Sequence, residues 1–177
     1  TVTGDFNCSR NSLISLFEGP TEVNDFDCSY NQLKNLSYAP KEVKGNFDCS
    51  NNLIDSVKGM PRTVKGYFNC SINKIATLKG GPKYVDATFD CSQNLIDRLT
   101  GGPVSVGQDY LCFKNNLTDL DGVADEIGFD LVSDIRLNHL SSTFNEEEKT
   151  WRYKGSEVIS HIYKPIVALT NVDVISR

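Results

Sequence analysis

Hydrophobic and polar residues alternate in a short stretch that recurs six times along the chain. In each copy an aromatic residue and a cysteine stand two positions apart, and the residue between them is Asp or Asn in five copies. The aromatic residues are Phe6, Phe26, Phe47, Phe68, Phe89 and Tyr110, and the cysteines are Cys8, Cys28, Cys49, Cys70, Cys91 and Cys112. Side chains two positions apart point to the same face of a strand. Each copy therefore predicts a short strand whose ring and thiol face a core.

The six copies are spaced almost evenly. Successive cysteines are 20, 21, 21, 21 and 21 residues apart, and every cysteine of the chain belongs to the pattern. A fixed period of this length is typical of structural units that stack into a solenoid, in which each unit contacts its neighbours. Equivalent positions of successive coils then lie about 4.8 Å apart and form columns in a continuous core.

Further columns complete each unit. An asparagine follows each cysteine by three positions: Asn11, Asn31, Asn52, Asn73, Asn94 and Asn115. Aliphatic residues follow at five and at eight positions: Leu13, Leu33, Ile54, Ile75, Ile96 and Leu117, then Leu16, Leu36, Val57, Leu78, Leu99 and Leu120. We expect the aliphatic residues to close the core from the returning arm. The asparagine should turn the chain out of the strand, and its buried amide should bond backbone groups of neighbouring coils.

The run Phe-x-Cys-x-x-Asn-x-Leu-x-x-Leu resembles the leucine-rich repeat, L-x-x-L-x-L-x-x-N/C-x-L, over residues 2 to about 122. It departs from the common form by placing Phe and Cys where Leu is usual. The form G-x-P-x-x-V-x-G-x-F-D-C-S-x-N looks most like short repeats in proteins of tailed bacteriophages. The resemblance implies a right-handed curved solenoid of six full coils. It also implies one parallel sheet on the concave side and mostly irregular connections on the convex side.

Three regions follow from the repeat. Residues 1–122 hold the six repeats, 123–140 are a degenerate seventh coil, and 141–177 are a C-terminal capping subdomain. In that subdomain, serines and a threonine before an acidic stretch predict a helix that starts near Phe144. A second short helix is predicted over 156–163, which makes the cap α or α/β. The chain enters its first repeat directly, so either a preceding region or another protein is expected to cover that end of the solenoid.

Composition limits the classes of partner. The formal net charge is −5, and residues 1–120 carry 12 basic and 13 acidic side chains against 6 and 10 in the remainder. Neither part is basic, which argues against a nucleic-acid partner. The sequence has no apolar run long enough to span a bilayer, so no membrane association is expected. Cysteines that face a core behave as small hydrophobic residues, and six free thiols point to a reducing, cytoplasmic location.

The sequence contains no catalytic constellation. Its two histidines, His139 and His161, both lie in the tail, and the phosphate-binding, zinc-protease and serine-hydrolase motifs are missing. No C-x-x-C pair indicates a metal site, and the period is too long for a calcium-binding β-roll. We therefore expect a protein that is not an enzyme and that has no cofactor and no metal.

Two functions remain. In the first, the concave face binds a protein partner, and the bacteriophage resemblance implies that this partner is a host protein. In the second, the chain is a structural or assembly component, with the solenoid as a spacer or an end-docking element. Solenoid faces are common binding surfaces, which favours the first.

The candidate binding residues are those that break a polar column on the expected concave face. Tyr67 breaks one column, and Tyr30 and Ile72 break another, so these three are the predicted anchors. Three acidic residues between ring and thiol are predicted to steer a basic partner surface: Asp27, Asp48 and Asp90. A serine column is predicted to share this exposed face: Ser9, Ser29, Ser50, Ser71 and Ser92. The alternative is that these regular polar columns only solvate the sheet and bond between coils.

Overall fold

The chain folds into a parallel β-solenoid of about six turns. The computed structural model describes residues 4–117, 120–128, 131–132, 142–145, 150–153 and 156–158. No helix occurs within these ranges, and none of their segments is a helix that could cross a membrane. The strands in chain order are β1 (Phe6–Asn7), β2 (Glu22–Val23), β3 (Phe26–Asp27), β4 (Glu42–Val43), β5 (Phe47–Asp48), β6 (Thr63–Val64), β7 (Phe68–Asn69), β8 (Tyr84–Val85), β9 (Phe89–Asp90), β10 (Ser105–Val106), β11 (Tyr110–Leu111), β12 (Glu126–Ile127), β13 (Leu131–Val132), β14 (Ser142–Asn145), β15 (Thr150–Tyr153) and β16 (Ser156–Val158).

The main sheet is built from the strands that carry the aromatic column. Its order is β1-β3-β5-β7-β9-β11-β13, and every described pair is parallel. From β1 to β11 ring lies opposite ring, as Phe47 opposite Phe68. The pairing continues past the sixth cysteine, because Leu131 lies opposite Tyr110 and Ile127 lies opposite Val106. The predicted register of the repeats is therefore confirmed, and the stacking extends into the region expected to hold a seventh coil.

The returning arm is more regular than expected. The connections that were predicted to be irregular contain a second set of parallel strands. One pair consists of β2 and β4, and a separate four-stranded sheet contains β6, β8, β10 and β12. Each strand has two residues, and its valine or isoleucine is buried, as Val64 and Val85 are. Stacking in register brings equivalent backbone groups of neighbouring coils together, so they bond to each other. The expectation of one sheet was wrong for this reason.

The aromatic and cysteine columns form the core. Phe26, Phe47, Phe68, Phe89 and Tyr110 are at most 1% exposed, and neighbouring ring centroids from Phe26 onward lie 5.0–5.7 Å apart. The thiols from Cys28 to Cys112 are buried, and none of the six cysteines forms a disulfide. Burial raises the pKa of the Cys49, Cys70 and Cys91 thiols well above the ordinary value. These thiols stay protonated and pack as small hydrophobic groups, as the sequence predicts.

The asparagine column connects successive coils. Asn52 Nδ2 donates to three carbonyl oxygens, those of Cys28 (3.0 Å), Cys49 (3.2 Å) and Ser50 (3.1 Å). Its Oδ1 accepts from the Leu33 backbone N–H at 3.0 Å. One amide thus bonds backbone groups of two coils, which confirms the predicted ladder.

The described part of the tail contradicts the predicted helices. β14, β15 and β16 form an antiparallel sheet in which Trp151 lies opposite both Phe144 and Val158 in register. Aromatic and β-branched residues fit a pleated sheet better than a helix, and this preference outweighs the serine and threonine start signal. The acidic stretch that suggested the helix covers 146–148, which lies outside the described residues, as do both histidines.

The Tyr110 hydroxyl is a buried polar group with no hydrogen-bond partner among the described residues. Phenylalanine occupies this column in the five preceding coils, so Tyr110→Phe removes an unsatisfied oxygen without changing the ring. We expect the free energy of unfolding to rise by about 1 kcal/mol. Urea unfolding monitored by circular dichroism measures the change. Tyr84→Phe, at an exposed tyrosine, is the control and should change stability by less than about 0.5 kcal/mol. A destabilised Tyr110→Phe would contradict the prediction.

Candidate partner-binding surface

The residue between ring and cysteine points to the outer face of the main sheet. This column consists of Asn7, Asp27, Asp48, Asn69, Asp90 and Leu111. Its side chains first support the fold: Asp48 Oδ1 accepts from the Ser50 N–H at 2.8 Å, and Asp48 Oδ2 accepts from Asn69 Nδ2 at 3.2 Å. Asp27 accepts from the Ser29 N–H and from Asn7 Nδ2 in the same way. The polar column therefore bonds between coils, as the alternative interpretation states.

Two carboxylates of this column are partly removed from water. Burial raises the pKa of Asp48 and of Asp90, although the hydrogen bonds from Ser50 and Ser92 oppose the rise. A carboxylate that has lost hydration without a positive neighbour gains more from an arriving cation than a fully hydrated one does. Burial thus disfavours the ionised form of Asp48 and of Asp90, and a nearby positive charge would favour it.

The serine column does not share this exposed face. Ser29, Ser50, Ser71 and Ser92 are buried, at 1–7% exposure. Their backbone N–H groups turn back to the carboxylate or amide oxygen two residues earlier, as the Ser71 N–H bonds to Asn69 Oδ1 at 3.0 Å. This turn ends the strand after two residues, so the alternation of a longer strand does not apply. The expectation of an exposed serine column was wrong for these four, whereas Ser9 of the first coil is partly exposed.

Tyr67 interrupts a second structural column. The residue before each ring is Asp5, Asp25, Asn46, Tyr67, Thr88 or Asp109. Asp25 Oδ1 accepts from the Asn46 N–H at 2.8 Å, and Asn46 Oδ1 accepts from the Tyr67 N–H at 3.0 Å. A phenol carries its oxygen too far from its own backbone to accept the next N–H in this way. Tyr67 therefore does not continue the structural role of the three residues before it.

The Tyr67 side chain borders a shallow cleft on the outer face. The cleft has a volume of about 420 Å³, and its lining includes Tyr67, Asp48, Asp90, Thr88 and Gln108. Tyr67 is 38% exposed. Burial, followed by the charges of Asp48 and two other aspartates, raises the pKa of its phenol, so the hydroxyl stays protonated at neutral pH. An aromatic face, a hydroxyl and two acidic groups thus meet in one place.

Sequence reasoning missed Thr88 and Gln108. Gln108 stands where the three preceding coils have Gly45, Gly66 and Ala87, and Thr88 Oγ1 lies 3.4 Å from Gln108 Oε1. A long polar side chain in a column of small residues is a deviation, and that signal was available in the sequence.

Tyr30 and Ile72 lie apart from this cleft. Each immediately follows the buried serine, at the corner where the chain leaves the strand, and each has a left-handed backbone with φ 54°. They are two coils apart, about 10 Å, on the same column. Tyr67 precedes β7 and Ile72 follows it, so the strand separates them. The predicted residues therefore form two groups, and Asp27 lies one coil before Asp48, outside the cleft lining.

The fold defines the chain as a repeat protein of stacked parallel coils with a period of about 21 residues. Comparisons with models of protein families, with curated protein sequences and with solved structures found no match. In the part of the chain that the structure describes, no group of three or more His, Cys, Asp or Glu side chains could hold a metal ion.

Proposed function

We propose that the chain is a non-enzymatic protein-binding module of the leucine-rich-repeat type that holds its partner on the outer face of the main sheet. The observation that carries the proposal is Tyr67. Its column neighbours Asp25 and Asn46 accept a backbone N–H of the next coil, whereas Tyr67 presents an aromatic ring to the cleft. Partly exposed tyrosine is a frequent anchor in protein interfaces.

The chemistry of the cleft favours a lysine or arginine side chain of the partner. A cation seated against the Tyr67 ring lies beside the carboxylates of Asp48 and Asp90, which line the same cleft. The ring attracts the cation through its π-face, and the carboxylates regain an opposite charge in place of lost hydration. Thr88 and Gln108, which also line the cleft, offer hydrogen bonds.

The identity of the partner follows only from the resemblance to bacteriophage repeats. That resemblance makes a host-cell protein, met in the cytoplasm, the expected partner. Interference with a host function is then the expected consequence of binding.

The test compares capture of partner proteins by the wild-type chain and by Tyr67→Asn. Asparagine repeats the residue that Asn46 provides one coil earlier, but Ala87 stands in the next coil where Gly66 leaves room for Asn46 Oδ1. The melting temperature of the variant is therefore measured, to separate lost binding from lost folding. We expect Tyr67→Asn to lose the partner that the wild-type chain captures. Its affinity for that protein should be roughly 30-fold weaker, equivalent to about 2 kcal/mol. Isothermal titration calorimetry with that protein measures the loss.

Tyr84→Asn is the matched control, since Tyr84 is equally exposed but lies on the returning arm. This variant should capture the same partner proteins, in the same amounts, as the wild-type chain. Unchanged binding by Tyr67→Asn, with loss on a change within 141–177, would place the interaction in the tail and overturn the proposal. Copurification with assembled particles or self-association would instead support a structural component.

A further inference from the structure

Four exposed apolar side chains follow one corner of the solenoid through four successive coils. They are Tyr30 (48% exposed), Leu53 (38%), Ile72 (42%) and Leu95 (50%). Tyr30 and Ile72 stand two residues after their cysteine, and Leu53 and Leu95 stand four residues after theirs. The four therefore alternate between two neighbouring columns and form a zigzag, here called the corner stripe. With neighbouring coils about 4.8 Å apart, it extends over about 14 Å.

The charged residues within the two columns of the corner stripe are all basic. Its two columns also hold Arg10, Ser12, Gln32, Asn51, Lys74, Gln93, Lys114 and Asn116, which include three basic residues and no acidic one. Arg10 lies against one end of the stripe, with its guanidinium carbon 4.5 Å from the centre of the Tyr30 ring. The cleft beside Tyr67 has the opposite character, because Asp48 and Asp90 line it. The two surfaces thus suit partners of different charge.

Folding does not explain the isoleucine of the stripe. The backbone at Ile72 has φ 54°, in the left-handed region, where a β-branched residue is strained. Asn51 has the same φ in the preceding coil, and asparagine tolerates this conformation with little strain. Isoleucine at this corner thus adds strain and an exposed apolar surface, and neither helps the coil to fold.

We infer that the corner stripe binds a segment of a partner protein that combines apolar side chains with acidic ones. The apolar side chains would cover the zigzag, and the acidic ones would meet Arg10, Lys74 and Lys114. A helix of roughly ten residues matches the 14 Å length. The stripe is separate from the cleft of the proposed function and does not depend on it.

A protein segment fits this surface better than an anionic membrane does. Asp55 and Asp97 are exposed two residues beyond Leu53 and Leu95, and the chain as a whole carries a formal charge of −5. A broad anionic bilayer would meet these two aspartates together with the three basic residues, so most of the electrostatic attraction would cancel. A narrow acidic segment can lie along the two columns, whose charged residues are all basic, and avoid the aspartates.

The experiment selects ligands for the immobilised full chain from a displayed library of random 16-residue peptides. We expect the enriched peptides to carry Leu, Ile or aromatic residues together with Glu or Asp. Fluorescence anisotropy of one enriched peptide then gives its affinity in solution, and this affinity should fall as salt rises.

Variants locate the binding surface. Ile72→Asn and Tyr30→Asn should each lower the affinity for the enriched peptide roughly tenfold. The double variant Lys74→Glu with Lys114→Glu should lower it by a similar factor at low salt. Ile72→Asn relieves backbone strain, so an unchanged or raised melting temperature separates lost binding from unfolding. Lys44→Glu, on the returning arm, and Tyr67→Asn, in the cleft, are controls that should leave the affinity unchanged.

Several outcomes would overturn the inference. These are enrichment of basic peptides, absence of any enriched peptide, and an affinity that Ile72→Asn does not change. Peptide binding that Tyr67→Asn abolishes would assign the peptide to the cleft instead. Binding of the chain to phosphatidylglycerol vesicles that Ile72→Asn abolishes would make the stripe a membrane contact. Self-association lost in that variant, measured by light scattering, would make it a contact between copies of the chain.

Discussion

Asn52→Ala is expected to lower the free energy of unfolding by about 2–3 kcal/mol. The Asn52 amide is 8% exposed and makes four hydrogen bonds to the backbone of two coils. Alanine leaves the buried Leu33 N–H of the preceding coil without this partner, whereas the Cys28 carbonyl oxygen keeps its bond from Asn31 Nδ2. A buried N–H left without a partner costs about 1–3 kcal/mol, and the lost bonds to three carbonyl oxygens add to that cost.

Urea unfolding followed by circular dichroism measures this loss. Asn11→Ala is the matched control, because Asn11 is exposed and its amide donates to Cys8 and Ser9 of its own coil. It should cost less than about 1 kcal/mol. Asn73→Ala should resemble Asn52→Ala, since Asn73 bonds Cys49, Cys70 and Ser71 carbonyls and the Ile54 N–H. Equal and negligible losses at all three positions would show that the column does not hold the coils together.

The inward-facing columns could be predicted because each is represented six times. A ring beside a thiol at a spacing of two is ambiguous in one copy, but six copies at one period leave stacking as the consistent explanation. The asparagine column was predictable for the same reason, since a polar residue in every coil next to the core needs partners that every coil can supply. Backbone carbonyls of the neighbouring coil are such partners, as Asn52 demonstrates with Cys28.

The second set of strands was not predictable from any single unit. Its segments are two residues long, such as Glu42–Val43, which is too short to show a period. Their pairing arises because stacked coils bring equivalent segments together. The serine column failed for a related reason: the bond from the Ser50 N–H to Asp48 ends the strand early, and the sequence pattern of a longer strand looks the same.

The tail lacked the repetition that made the coils predictable. Its serine, threonine and glutamate residues form a helix-start signal that occurs once, and nothing else in the chain tests it. The described strands pair Phe144 with Trp151 and Trp151 with Val158 in register. Such cross-strand pairs depend on which segments meet, which local propensity does not determine.

The candidate site was predictable to the extent that its residues deviate from a column. Tyr67 and Ile72 stand out against polar neighbours, and both prove to be exposed. Their separation by the strand was not evident, because the sequence does not show how the corner turns. The contribution of Leu53 and Leu95 was hidden as well, since they belong to another column and join Tyr30 and Ile72 only once the coils are stacked.

Phe68→Ala is expected to be the most destabilising of the substitutions considered, with a loss of about 3–5 kcal/mol. Phe68 is fully buried, and its ring lies between Phe47, at a centroid distance of 5.3 Å, and Phe89, at 5.7 Å. Alanine removes a ring from the middle of the column and leaves a cavity bounded by the rings of two other coils. The backbone bonds on both sides limit how far the coils can collapse into it, so most of the cavity cost remains.

The position of the cavity adds a second expected effect. Each coil of a solenoid is stabilised mainly by its neighbours, so a defect in the fourth coil weakens the coupling between the two halves. We expect a shallower dependence of the unfolding free energy on urea for Phe68→Ala than for the wild type. Phe6→Ala is the control: Phe6 is partly exposed and stacks on one ring, that of Phe26, at 6.0 Å. It should cost about 1–2 kcal/mol and leave the slope unchanged, and equal effects of the two variants would mean that the aromatic column does not couple the coils.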